Sequence, residues 1–130
     1  MPYAIGSLIK RGILFVLKPS GAETTSTTGP AVDVGLAGTV IVVVDVTAVS
    51  GTPTMTVVIE GSDDGAVWIE LGTIGANGAR VGQVGTAPSN ITGTGTIRAV
   101  LPAPQFVRSR SVIGGGTPSL TYSVTAVGNA

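Results

Sequence analysis

The side chains able to do chemistry are few, and they gather in two places. Glu60, Asp63, Asp64 and Glu70 fall in one short stretch, and Arg108 and Arg110 stand two residues apart in another. Glu60 with Asp63 and Glu70 supplies the residue types of a glycosidase carboxylate pair, which must flank a glycosidic bond across a cleft. Their spacing places them across no cleft, and one tryptophan and two tyrosines give a sugar little to stack on. Asp63-Asp64-Gly65 offers oxygen ligands that would suit calcium, but the further carboxylates of a calcium loop are missing. It reads instead as a hairpin turn, because Asp-Gly supplies the positive φ that twisted hairpins need.

Other chemistry is excluded by what the chain lacks. It contains no histidine and no cysteine, so Ser-His and Cys-His nucleophilic sites and the usual zinc sites cannot be built. Gly114-Gly115-Gly116 is followed by no Lys-Ser/Thr and opens no helix, so it is a turn rather than a phosphate cradle. Asn90-Ile91-Thr92 matches a glycosylation sequon without a secretion signal to give it meaning. The sequence therefore predicts a non-enzyme with no catalytic residue, no cofactor and no metal.

Composition points the same way. Seven basic and seven acidic residues leave a net charge of zero, and charged residues are only 11% of the chain, against about 25% in an ordinary domain. Such a coat solvates a lone monomer thinly and gives no mutual repulsion, which suits a surface covered in an assembly. No basic stripe with interleaved aromatics marks a nucleic-acid partner. The apolar run Ile13 to Leu17 is shorter than a signal core and ends at Lys18-Pro19; it is far too short to cross a bilayer, so a strand is expected and no membrane contact.

Three features remain as candidate contacts. Trp68, if exposed, is a natural anchor at a protein interface, where Trp and Arg are enriched; the competing reading puts it between sheets. Arg108 and Arg110 share a strand face with Phe106 and need solvent or acidic partners, either across a subunit boundary or as the charges that guard an edge strand. Tyr3, Ile5, Leu8 and Ile9 make the N-terminal segment more apolar than a free terminus should be. Such an arm either packs on its own domain or adds to a neighbouring subunit through main-chain hydrogen bonds.

The elements that carry these residues are β-strands. Val and Thr, stiff at χ1, alternate through the chain, and twenty glycines and eight prolines punctuate it. Strands are predicted over 12–18, 31–36, 39–48, 54–61, 66–74, 80–85, 96–101, 105–113 and 119–127, with a polar loop over 19–30. Turns are predicted at Ser50-Gly51-Thr52-Pro53, Ser62-Asp63-Asp64-Gly65, Pro102-Ala103-Pro104 and Gly114 to Pro118. Val40, Val42, Val44 and Val46 are expected on one face, then Met55, Val57 and Ile59, then Val67, Ile69 and Leu71, and finally Leu120, Tyr122, Val124 and Ala126. Eight or nine short antiparallel strands at near-regular spacing predict an all-β, single-domain β-sandwich or jelly roll over 12–130, with an N-terminal arm over 1–11.

The run from Ser50-Gly51-Thr52-Pro53-Thr54 through Val58-Ile59-Glu60-Gly61-Ser62-Asp63-Asp64-Gly65 to Trp68 resembles small structural proteins encoded in tailed-bacteriophage head and tail gene clusters. The stretch from Arg98 through Leu101-Pro102 and Phe106-Val107-Arg108 to Gly116-Thr117-Pro118-Ser119-Leu120-Thr121-Tyr122-Ser123-Val124 is similar to the same group, so the resemblance spans about residues 30 to 127. It implies a virion component: a capsid decoration (cement) protein on the capsid exterior, a homotrimer that clamps the major capsid protein. A tail or head-to-tail subunit is the neighbouring expectation. A carbohydrate-binding or adhesion module, with Trp68 and Tyr122 as sugar platforms, is the alternative of another class.

Overall fold

Alternating valines make strands, and in this chain two of those strands run far longer than their turn residues foretell. The computed structural model describes residues 13–35 and 37–129; the predicted arm 1–11, with Tyr3, Ile5, Leu8 and Ile9, lies outside the described residues. Among the described residues there are seven strands and no helix: β1 (Leu14–Glu23), β2 (Val32–Asp33), β3 (Gly38–Ser62), β4 (Ile69–Gly75), β5 (Gly78–Val81), β6 (Gly95–Ala103) and β7 (Phe106–Asn129). They form one antiparallel sheet in the order β1-β7-β3-β4-β5, with β2 added to β7 and β6 to β3. The all-β, single-domain expectation is met, and the arrangement is that of a β-sandwich made by folding one sheet over.

The predicted turns at Ser50–Pro53 and Gly114–Pro118 are not turns. Strands 39–48 and 54–61 are one strand, β3, and 105–113 and 119–127 are one strand, β7. The two pair along their whole length, from Thr39 with Asn129 to Ser62 with Phe106. Where a reversal was expected the pair bends instead, through two offset bulges. Val46 pairs with Tyr122 and Ala48 with Thr121, so Thr47 is an extra residue in β3. Between Ser50–Ser119 and Thr52–Gly116 the extra residue is in β7. A bulge bends its strand and increases local twist. Because each strand absorbs one extra residue, the inner face passes from even to odd positions in β3 and from odd to even in β7 without turning outward.

The corner leaves no room for side chains. Gly51 has φ +73° and Gly115 φ +99°; a Cβ on the first would lie 2.1 Å from the Thr117 carbonyl oxygen, and on the second 2.0 Å from that of Thr52. The same glycines that read as turn formers are thus sites of close strand crossing.

Folding the long pair gives two layers. The first holds β1, the C-terminal half of β7, the N-terminal half of β3, and β6; the second holds β2, the other halves of β7 and β3, then β4 and β5. Their inner faces make one core from Val40, Val42, Val44, Val46, Met55, Val57, Ile59, Leu101, Leu120, Tyr122, Val124 and Ala126, all essentially inaccessible to water. Burying each large apolar side chain is worth about 1.5–3 kcal/mol. The layers touch where Leu101 of β6 fills the space over Gly72 of β4; a Cβ there would meet Leu101 Cδ2 at 2.8 Å.

Smaller departures also have causes. β1 runs on through Pro19 to Glu23, into the predicted loop, because Lys18 Nζ donates to the Pro19, Gly21 and Tyr122 carbonyls and lies 4.1 Å from the Tyr122 ring centre. Desolvation lowers the Lys18 pKa, with Glu23 acting in the opposite direction. β2 keeps only two residues of the predicted 31–36 strand. Asn77-Gly78 closes a tight β4–β5 hairpin, so the strand predicted over 80–85 sits earlier.

Candidate interaction surfaces

The two layers present very different outer faces. On the second layer the outward residues of adjacent strands fall into register as Arg108–Glu60–Glu70, with Arg110, Val58 and Thr73 in the next row. Two glutamates directly opposite would repel, and flanking arginines prevent it. Arg108 Nε donates to Glu60 Oε1 at 2.9 Å and Arg110 Nε to Glu60 Oε2 at 3.4 Å. Arg80 Nη2 and the Thr73 hydroxyl both donate to Glu70 Oε2, at 3.1 and 3.0 Å. The network crosses β7, β3, β4 and β5, and Val58 at its centre is only 5% exposed. The stems of the long ionic side chains shield it.

Arg108 and Arg110 share the outward face, as the alternation in the sequence required. Their acidic partner is Glu60 of the same chain, and they do not lie on an edge strand. Their segment of β7 is flanked by β3 on one side and by β2 and the Thr28–Arg110 bridge on the other. The edge-strand reading is therefore corrected.

Trp68 is neither core nor bare anchor. It is half-buried, with the Arg108 guanidinium carbon 4.1 Å from the ring centre, a cation–π stack. The loop that holds it is longer than the two-residue hairpin expected, spanning residues 63–68. Ser62 Oγ accepts from the Asp64 and Gly65 amides and donates to Asp64 Oδ1. Asp64 Oδ1 accepts from the Ala66 and Val67 amides as well. These amide bonds, that of Val67 foremost, hold the Asp64 carboxyl at about 2. Among the described residues no acidic cluster has the makings of a metal site.

Of Val67, Ile69 and Leu71, expected together on the inner face, only Leu71 is buried. Val67 is 69% and Ile69 61% exposed. Val67 belongs to the loop, and Ile69 lies opposite Gly61 on the inner side but at the open start of β4. Beyond them Glu60 pairs with Glu70 and Ile59 with Gly72, so Leu71 is an extra residue that re-phases β4 and brings Ile74, not Thr73, into the core. Beside these residues Glu60, Trp68, Ile69, Glu70, Gln83 and Arg110 line a groove of about 500 Å3. Tyr122 is excluded as a sugar platform: it is 1% exposed and its hydroxyl is buried without a hydrogen-bond partner among the described residues. Burial raises its pKa.

The first layer's outer face is apolar. Leu14 pairs with Val127, Val127 with Ile41, and Ile41 with Val100, giving an unbroken aliphatic row across β1, β7, β3 and β6. The next row is Val16–Thr125–Val43–Arg98. Leu14 and Val100, at the two ends of the first row, are each 61% exposed, and Val16 is 49% exposed. At the strand spacing of about 4.8 Å the row is ~14 Å long. Alternation with Val40 to Val46 puts Ile41 and Val43 on the face away from the core, and cross-strand register is needed to see that they form a surface. The model comparison finds no protein family that matches the chain, and no curated protein matches it.

Proposed function

We propose that this protein is a non-enzymatic virion component, a capsid decoration protein that binds the outer surface of the major capsid lattice as a homotrimer and stabilises it. The observation that carries the reading is the aliphatic row Leu14–Val127–Ile41–Val100 on an outward sheet face. Exposed apolar patches of ~300 Å2 and more mark interaction sites, and burying that much returns ~7 kcal/mol before the costs of association. Repeated over a lattice, even weak contacts hold through avidity. The resemblance to tailed-phage structural proteins supplies the capsid as partner. The ionic residues support the non-enzymatic part: Glu60 is committed to two arginines and Glu70 to a third, so the two strand glutamates serve as ion-pair partners within the sheet.

Co-sedimentation of the purified protein with expanded capsids tests the proposal. Binding is expected for the natural sequence and is expected to fall at least tenfold for Val100→Lys, which puts a charge in the row. Incorporation into purified tails but not capsids would replace this reading with that of a tail or head-to-tail subunit. Light scattering of the free protein checks the trimer.

A further inference from the structure

The groove beside Trp68 is not used by the assembly role, and its unspent hydrogen-bonding capacity is specific. Among the described residues Glu70 Oε1, the Gln83 amide and the terminal nitrogens of Arg110 have no partner, whereas Glu70 Oε2 accepts twice and both Glu60 oxygens are taken. One wall is aromatic, from Trp68. The groove therefore offers a fixed carboxylate acceptor, two planar donors and a hydrophobic flank within about 500 Å3.

We infer that this groove binds a neutral pyranose unit of a glycan. Glu70 is already paired with Arg80 and Arg110 with Glu60, so a charged ligand gains little from either while it loses its own hydration. A neutral sugar needs only the acceptor and donor positions that remain. One hydroxyl donates to Glu70 Oε1, neighbouring hydroxyl oxygens accept from Arg110 and Gln83, and the face of axial C–H groups packs on Trp68. The Arg80–Glu70 and Arg108–Trp68 contacts hold the acceptor and the aromatic wall in place before the ligand arrives, which lowers the ordering cost of binding. The groove is open and shallow, so a single unit is expected to bind at ~1–10 mM. The inference does not rest on the capsid reading.

Trp68 is the sole tryptophan, so its fluorescence reports on this groove directly. The full chain is titrated with neutral trisaccharides of glucose, galactose, mannose and N-acetylglucosamine configuration, and with a uronic acid trisaccharide. At least one neutral sugar is expected to give a saturable change. Its affinity is expected to fall about tenfold in Gln83→Ala and in Glu70→Gln, the loss that goes with one hydrogen bond to a charged or planar group. The uronic acid is expected to bind more weakly than its neutral counterpart. No saturable change with any neutral sugar up to ~50 mM, well above the expected range, would overturn the inference. So would full affinity in either variant, or a uronic acid that binds as tightly. Capsid co-sedimentation of Gln83→Ala is expected to be unchanged, so failure here and failure of the decoration reading are separately visible.

Discussion

The outer faces of the two layers are carried by the same two strands, yet one is closed and the other open. β3 and β7 supply Glu60, Arg108 and Arg110 to the second layer and Ile41, Val43 and Val127 to the first. On the second layer the ionic side chains reach across four strands, satisfy one another, and leave Val58 almost inaccessible. The first layer's outer face carries Arg98 and Asp45, with Asp45 accepting from Thr96, and among the described residues nothing covers its aliphatic row. Charge is therefore not merely scarce in this chain. On one face it is joined into a network across four strands, and on the other it leaves an aliphatic row exposed.

The strongest way to break the comparison is to break the corner that divides the two faces. Gly115→Ala places a Cβ against the Thr52 carbonyl at a φ that side chains rarely adopt. It is expected to cost about 2–3 kcal/mol in urea unfolding. A cost near zero would mean that the bend is not held by this close crossing. Next comes Glu60, which anchors both arginines. Glu60→Gln removes its charge beneath Arg108 and Arg110 and is expected to cost about 1–2 kcal/mol by the same measurement.

Asp64 sharpens the comparison through pH, because it shapes the loop that carries Trp68. Its folded pKa, about 2, lies below the ordinary 3.8. Its contribution to stability is therefore present above pH 3.8 and lost as pH falls from there to about 2. Asp64→Asn keeps an acceptor but no charge, so the natural protein should lose more stability than the variant over that window in acid titrations followed by circular dichroism. The smallest effect on folding belongs to the apolar face. Val100→Lys is expected to change unfolding free energy by no more than about 0.5 kcal/mol while reducing association in sedimentation velocity. A large loss of stability would show that Val100 supports the fold rather than a contact.

Much of this was readable before the fold was known, and the failures share a cause. Alternation placed Val40 to Val46, Met55 to Ile59 and Leu120 to Ala126 on the inner face correctly, since each run obeys the two-residue period. It failed at bulges: Thr47, Leu71 and the Thr117–Pro118 region each interrupt the period, and a bulge has no signature apart from that of a turn. Glycine and proline at Gly51–Pro53 and Gly114–Pro118 signal backbone freedom, not its direction, so a bend and a reversal look alike. The ionic network and the aliphatic row are cross-strand objects. Glu60 and Arg108 are far apart in sequence, and only strand order makes them neighbours.

Electron cryomicroscopy of expanded capsids incubated with the purified protein tests the division of faces most directly. The account predicts density from a neighbouring protein over Leu14, Val16, Ile41, Val43, Val100 and Val127, with the groove beside Trp68 open to solvent. A reconstruction in which that aliphatic face is bare and the contact is made through Glu60, Arg108 and Arg110 would contradict it.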